Sequence, residues 1–172
     1  LELPANAERA AWYDELTQQQ VRFAEPVPAD PASTGVDLAA VVRHVRSVVP
    51  ADAVVTNGAG NYTVWLQRYF AYRQVGTQLA PRNGAMGYGL PAGLAAAALN
   101  PDRVVVTFAG DGCFMMSGNE LATAVREGLR PRVIIVNNSR FGTIRMHQER
   151  QFPGRPIATD LTNPDFAAYA AS

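Results

Sequence analysis

The chain has 172 residues, of which 48% are apolar and 17% charged, and its fifteen basic residues balance its fifteen acidic residues. This length suits one domain with a substantial core. The neutral balance argues against a nucleic acid or an anionic membrane as partner, and it tolerates self-association. No apolar run reaches transmembrane length. The single cysteine, Cys113, excludes an internal disulfide framework and makes the cytoplasm the default compartment.

The N-terminal part differs in composition from the rest of the chain. Leu1–Phe23 favours a helix, and the proline-rich stretch Pro26–Pro31 is typical of an extended linker. We therefore predict a helix and linker over residues 1–35, followed by one domain over residues 36–172. Because the chain begins without Met and stops in an apparently helical stretch, we expect a fragment of a longer polypeptide.

An amphipathic helix and a strand follow the linker. Apolar residues recur at helical spacing through Asp37–Val49, which predicts a helix with His44, between Arg43 and Arg46, on its exposed side. Ala53–Thr56 is a short β-branched run and predicts a strand.

That strand leads into a glycine-containing loop, Asn57–Tyr62. Its Gly-x-Gly lacks the third glycine of a dinucleotide-binding fingerprint, since Thr63 occupies that place. The loop instead suits a phosphate-facing turn that opens a helix over Tyr62–Phe70, because helix N-termini attract anions.

Gln78–Gly93 is rich in glycine and leads into an alanine-rich helix, Pro91–Leu99. Closely spaced glycines permit backbone approach to a flat ligand or to another helix. Met86, in their midst, is a flexible apolar side chain that either fills the core or supports an aromatic ring.

The centre of the chain shows a strand–helix–strand pattern. Val104–Ala109 and Val133–Val136 are buried-strand runs, and Ser117–Gly128 between them has helical composition. The first strand ends in Gly110-Asp111-Gly112, and the second ends in Asn137-Asn138. If the strands are neighbours, Asp111 and Asn138 emerge side by side at one edge of the sheet, where such folds bind ligands.

A carboxylate and an amide carbonyl at that edge are two hard oxygen donors. With main-chain carbonyls they suit Mg²⁺, which completes its coordination with phosphate and water. The glycines beside Asp111 let backbone N–H groups approach phosphate oxygens. The residues therefore indicate a Mg²⁺–diphosphate site. The alternative is that Gly-Asp-Gly is only a strand-to-helix turn and Asn-Asn only a cap.

The Gly110-Asp111-Gly112 motif, followed by Asn138 at a spacing of 27 from Asp111, resembles the signature of thiamine diphosphate (ThDP)-dependent enzymes. Gly84–Ala92, with the sequence Gly-Ala-Met-Gly-Tyr-Gly-Leu-Pro-Ala, adds a second match. More narrowly, the chain from Val36 onward is similar to the C-terminal diphosphate-binding domain of the acetolactate synthase-like group. The resemblance implies an α/β fold with a doubly wound, mostly parallel sheet flanked by helices.

The resemblance also implies roles for individual residues. Met86 would lie beneath the bend between the two cofactor rings, and the Gly84 carbonyl would accept a hydrogen bond from the aminopyrimidine. The main-chain carbonyl of Arg140 would join the side chains of Asp111 and Asn138 as Mg²⁺ ligands. The full set of implied cofactor-binding residues is Gly60, Asn61, Tyr62, Gly84, Met86, Gly110, Asp111, Gly112, Cys113, Asn138, Phe141 and Gly142.

Four residues depart from the family pattern or have a role that stays open. Asn61-Tyr62 stands where the family often has Gln-His. His147 stands where acetolactate synthases usually carry a Trp, so it is either a substrate-side acid or base or a solvated helix residue. Cys113 is expected to be a small buried side chain, with a reactive thiol as the alternative.

The expected function is decarboxylation and carboligation of 2-oxo acids, acetolactate synthase-like, with ThDP and Mg²⁺. The family's activating Glu lies in a pyrimidine-binding domain, on the same or a partner subunit, which nothing here resembles. No catalytic residue is therefore expected in this chain, which alone should be nearly inactive. We also expect a homo-oligomer and an exposed apolar docking face around Gly84–Gly93 and Phe114–Gly118. The alternatives are a benzoylformate decarboxylase-like or benzaldehyde lyase-like enzyme, or a catalytically incomplete binding or assembly module.

Overall fold

Four parallel strands form one sheet in the computed structural model, which describes residues 6–28 and 31–172. The spatial order is β2-β1-β3-β4, and each neighbouring pair is parallel. The strands are β1 (Val54–Asn57), β2 (Gln78–Leu79), β3 (Val105–Gly110) and β4 (Arg132–Val136). The predicted α/β fold with a parallel sheet is confirmed.

Helices connect and cover these strands. In the described part of the chain they are α1 (Ala7–Phe23), α2 (Leu38–Val48), α3 (Tyr62–Tyr69), α4 (Gly89–Leu99), α5 (Asp111–Met115), α6 (Leu121–Arg126), α7 (Gly142–Gln151) and α8 (Phe166–Ala171), with a 3₁₀ turn at Gly118–Glu120. None of these helices has both the length and the apolar character needed to cross a bilayer.

Side chains of β1 alternate between the two faces of the sheet, as the pleat requires. Val54 packs with Ala96 of α4 on one face. Val55 belongs to the main core cluster, together with Val42 of α2 and Leu66 of α3. β1 is buried at all four positions, so the polar residues Thr56 and Asn57 at its end are buried along with the two valines.

Two element boundaries differ from the sequence prediction. β2 lies at the start of the glycine-rich segment, where no strand was predicted, because a strand of two residues is too short to show an alternating pattern. α4 begins at Gly89, two residues before the predicted start. Pro91 therefore lies in the first turn, where its missing N–H has no helical acceptor to bond.

His44 is exposed on α2, as predicted, but Arg46, which the prediction named beside it, is buried. The side chain is only 6% exposed. Its Nη2 donates to the carbonyls of Val49 and Pro50, at 2.8 and 2.9 Å, and its guanidinium lies 5.1 Å from the Phe70 ring centroid. Burial lowers the pKa of Arg46, and the positive charge of Arg73 lowers it further.

The helix predicted at the N-terminus is α1, which buries none of its side chains. The described contacts attach its end to the domain through Arg68, whose Nε donates to the Phe23 carbonyl and whose guanidinium lies 4.5 Å from the Phe23 ring centroid. Residues 1–5 and 29–30, which include the start of the predicted helix and part of Pro26–Pro31, lie outside the described residues.

Candidate functional site

The ends of β3 and β4 meet at one edge of the sheet. The two strands are parallel neighbours, and Gly110 lies opposite Val136. Asp111 and Asn138 therefore leave the sheet at the same edge, as the strand pattern predicts. Both residues line one cavity of about 230 Å³.

Every residue that the sequence assigned to the cofactor or to the metal lines this same cavity. The lining residues are Ala59, Gly60, Asn61, Tyr62, Gly84, Met86, Gly110, Asp111, Gly112, Cys113, Val136, Asn138, Arg140, Phe141, Gly142, Thr143 and Ile144. Four of them, Ala59, Val136, Thr143 and Ile144, were not predicted as site residues. His147 is exposed on α7 and is not part of this lining.

The Asp111 carboxylate is held in a fixed orientation. The residue is 3% exposed. Its Oδ1 accepts a hydrogen bond from the Gly112 N–H at 2.9 Å, and its Oδ2 accepts one from Asn163 Nδ2 at 2.8 Å. Asn163 was missed by the sequence analysis, because it follows no strand and belongs to no motif that we recognised.

The turn after β4 has a left-handed residue at its centre. Ser139 has a φ of +56°, which Asn, Asp or Gly adopts more readily than Ser. Two asparagines stabilise it: Asn137 Oδ1 accepts from the Ser139 N–H at 3.1 Å, and Asn138 Oδ1 accepts from the Arg140 N–H at 3.2 Å. The turn thus brings Asn138 and Arg140 to the same cavity.

At two positions of the lining, the structure shows why the residue is glycine. A Cβ on Gly112 would lie 2.6 Å from Cε1 of Phe141, so only glycine allows these segments to approach so closely. Gly84 has a φ of +69°, a left-handed conformation that glycine adopts without strain.

Tyr62 joins the loop after β1 to the core of the sheet. Its hydroxyl accepts from the Gly58 N–H at 3.0 Å and donates to the Phe108 carbonyl at 3.3 Å. Burial raises the pKa of Tyr62, and the nearby Cys113 adds to the rise. Cys113 is 4% exposed, as expected of a small buried side chain, and its Sγ donates to the Ala59 carbonyl at 2.9 Å.

Asn61 and Thr143 connect the N-terminal ends of α3 and α7. The Asn61 N–H donates to Thr143 Oγ1 at 3.0 Å, and Thr143 Oγ1 donates to Asn61 Oδ1 at 2.9 Å. No side chain caps the N-terminus of either helix. Two helix N-termini without side-chain caps therefore face one cavity, an arrangement that favours an anion.

The donor set of the cavity fits Mg²⁺. The described residues contain no group of three or more His, Cys, Asp and Glu side chains placed to bind a metal. One carboxylate, one amide oxygen and a main-chain carbonyl are the few hard ligands that Mg²⁺ takes when phosphate and water complete its shell. Zn²⁺ and Cu²⁺ would prefer imidazole or thiolate ligands, whereas carboxylate and carbonyl oxygens suit Mg²⁺ and Mn²⁺.

A parallel sheet with an anion-suited cavity at its carboxyl edge defines the class of α/β cofactor-binding domains. Comparison with known proteins gives the particular family. The family described as "Thiamine pyrophosphate enzyme, C-terminal TPP binding domain" matches residues 58–172; thiamine pyrophosphate, TPP, is another name for ThDP. This chain belongs to that family.

The relatives include acetolactate synthases. The acetolactate synthase large subunit of Parasynechococcus marenigrum (strain WH8102) is 34% identical over 174 residues, covering 100% of this chain and 28% of the relative. The acetolactate synthase isozyme 2 large subunit of Escherichia coli (strain K12) is 37% identical over 134 residues, covering 77% of this chain and 24% of the relative.

A solved structure is also similar. It is the Rhodococcus jostii RHA1 thiamine diphosphate-dependent 4-hydroxybenzoylformate decarboxylase, with a TM-score of 0.77 and 26% sequence identity. The match covers 86% of this chain and 28% of that chain. This chain therefore spans less than a third of the length of the relatives it matches.

Proposed function

We propose that this chain binds the diphosphate end of ThDP, together with Mg²⁺, in the cavity at the ends of β3 and β4. The observation that carries the proposal is the meeting of Asp111 and Asn138 with two uncapped helix N-termini at one cavity. Asp111 and Asn138 offer hard oxygen atoms for the cation, and the helix ends offer N–H groups for the phosphate oxygens. The family match to residues 58–172 supports the same ligand.

Each part of the cavity has a proposed role. The side chains of Asp111 and Asn138 and the main-chain carbonyl of Arg140 hold Mg²⁺. Gly84 and Met86 hold the rings of the cofactor. When bound, ThDP supplies the electron sink for the carbanion that forms as a 2-oxo acid loses CO₂. The protein holds the cofactor and the substrate in reacting positions and supplies fixed charges and dipoles that stabilise the charge that develops.

For the whole protein we infer decarboxylation and carboligation of 2-oxo acids, acetolactate synthase-like. The relatives named as acetolactate synthases support this activity. A ThDP-dependent decarboxylase or lyase of aromatic 2-oxo acids is the second candidate, favoured by the structural similarity to a 4-hydroxybenzoylformate decarboxylase. Product analysis of the full-length protein with pyruvate and with benzoylformate separates the two: acetolactate supports the first, and benzaldehyde supports the second.

Activity also requires a second domain. Tyr88, Met115 and Met116 are 39%, 52% and 55% exposed. They lie in the two segments where the sequence predicts an apolar docking face, and a Cβ on Gly87 would lie 3.1 Å from Met116 Cβ. We infer that a pyrimidine-binding domain, on the same subunit or on a partner in a homo-oligomer, docks there and brings the activating Glu. Without it, this chain is a binding module and is nearly inactive. The cytoplasm remains the expected compartment.

Titration calorimetry of ThDP into the full-length protein, with Mg²⁺ and again with EDTA, tests the cofactor assignment. We expect Mg²⁺-dependent binding for the wild type. Asp111→Ala should reduce binding to the level seen with EDTA, because it removes the buried carboxylate. Asp102→Ala is the matched control, since Asp102 is exposed and precedes β3 at the opposite edge of the sheet. Equal binding by wild type and Asp111→Ala, or no binding by the wild type, contradicts the proposal.

A further inference from the structure

Residues 159–163 run alongside the turn that carries two of the proposed metal ligands. The Phe141 N–H donates to the Thr159 carbonyl, and the Leu161 N–H donates to the Ser139 carbonyl, both at 2.8 Å. These bonds flank an antiparallel bridge between Arg140 and the segment. Thr159 is 2% exposed, so the segment is anchored in the interior at its start. The turn after β4 therefore takes its position from a part of the chain that follows α7.

The side chain of Asn163 extends this contact to Asp111. Its Nδ2 donates to Asp111 Oδ2 at 2.8 Å and to Asn137 Oδ1 at 2.9 Å. A carboxylate oxygen can only accept, so the amide nitrogen of Asn163, and not its oxygen, must face Asp111. One NH₂ group thus uses both of its hydrogens on two different strand ends. It links β3, through Asp111, to the turn after β4, through Asn137.

Asn137 is also hydrogen-bonded to the left-handed residue of the turn, Ser139. Its Oδ1 also accepts from the Ser139 N–H at 3.1 Å. The Asn163 amide therefore helps to fix both the orientation of the Asp111 carboxylate and the distance between that carboxylate and the turn after β4. Both decide whether the oxygen atoms of Asp111 and Asn138 can reach one cation. Amide or carbonyl partners that orient a metal-binding carboxylate often matter to metal affinity nearly as much as the ligands do.

We propose that Asn163 is a positioning residue for the Mg²⁺ site. It binds neither metal nor cofactor; it holds Asp111 and the turn after β4 in the geometry in which they bind the cation. This inference rests on the proposed function. Without the amide, Asp111 Oδ2 loses a buried hydrogen bond and, of the described contacts, only the Gly112 N–H, at 2.9 Å from Oδ1, still orients the carboxylate, so part of the metal site must be organised at the moment of binding.

The test is the affinity of the full-length protein for Mn²⁺ in the presence of ThDP, read from the electron paramagnetic resonance signal of free Mn²⁺. Asn163→Leu keeps the size of the side chain and removes both donors. We expect it to bind Mn²⁺ about 10–100-fold more weakly than the wild type. Asn163→Gln keeps the donors on a longer stem and should recover part of the affinity. If Asn163→Leu does not fold, Asn163→Ala, which has a smaller side chain and also lacks both donors, takes its place.

Asn100→Leu is the matched control. Asn100 is also half-buried, and its Nδ2 donates one hydrogen bond, at 3.0 Å, to the Ala96 carbonyl at the end of α4. It lies at the opposite edge of the sheet, so its loss should lower stability without changing Mn²⁺ affinity. Equal Mn²⁺ affinity for wild type, Asn163→Leu and Asn163→Gln overturns the inference and leaves the proposed function intact. A wild type that binds no Mn²⁺ with ThDP overturns the proposed function and the inference with it.

Discussion

Gly93 is the position at which the close packing of α4 on the sheet can be tested most sharply. It faces Thr56 of β1 and Thr107 of β3, whose Oγ1 atoms lie 2.8 Å apart. A Cβ on Gly93 would overlap Thr107 Oγ1 and would lie 3.1 Å from Thr56 Oγ1. Both threonines are fully buried in paired strands, so neither can move aside. We therefore predict that Gly93→Ala destabilises the domain.

The expected magnitude combines two opposing effects. Alanine is favoured over glycine in a helix interior by about 1 kcal/mol. Overpacking a rigid core usually costs about 1–3 kcal/mol, and an overlap with an atom that cannot move belongs at the upper end of that range. The net expectation is a loss of about 2 kcal/mol. In a Thr107→Ala background the overlapping atom is gone, so the same Gly93→Ala change should be close to neutral.

The assay is hydrogen exchange of peptides that cover β1 and β3 in the full-length protein, since it reports the opening free energy of this domain alone. Ala95→Gly is the control for helix propensity. Ala95 is exposed in the same helix, and its replacement should lower protection by about 1 kcal/mol. If Gly93→Ala instead raises protection, as it would at an open helix position, the close contact between α4 and the two threonines is refuted.

Two further predictions concern the walls of the cavity. Burial raises the pKa of Tyr62, so its contribution to stability is complete below pH ~10 and falls above that pH by up to ~1.4 kcal/mol per pH unit. Tyr62→Phe should therefore flatten the loss of stability above pH ~10 in thermal melts, and an unchanged slope contradicts this. Thr143→Val removes both hydrogen bonds to Asn61 and should weaken ThDP binding by about tenfold in calorimetry. Thr123→Val, which breaks a hydrogen bond to Glu120 away from the cavity, should leave ThDP binding unchanged.

The local pattern of the sequence was enough to predict the elements that build the site. The β-branched runs before Gly110 and before Asn137 predict β3 and β4. β3 is buried at every position, as a strand covered on both faces should be, whereas β4 lies at the edge of the described sheet and is only partly buried. Parallel pairing then requires Asp111 and Asn138 to share one edge. Hard oxygen donors and flanking glycines at that edge indicate a cation and a phosphate group without any coordinates. These features are local in sequence or follow directly from strand pairing.

Tertiary structure alone decided the contacts that hold those residues in place. The bond from Asn163 to Asp111 spans 52 residues, and the bond from Asn61 to Thr143 spans 82. Arg46 is buried because its guanidinium packs on the ring of Phe70, which is distant in the sequence, while the local carbonyls of Val49 and Pro50 accept its hydrogen bonds. An isolated Asn, Thr or Arg has the same appearance in a sequence whether solvent or a distant main-chain group satisfies it. The partner exists only after the chain has packed, so the composition and spacing of neighbouring residues carry no trace of it.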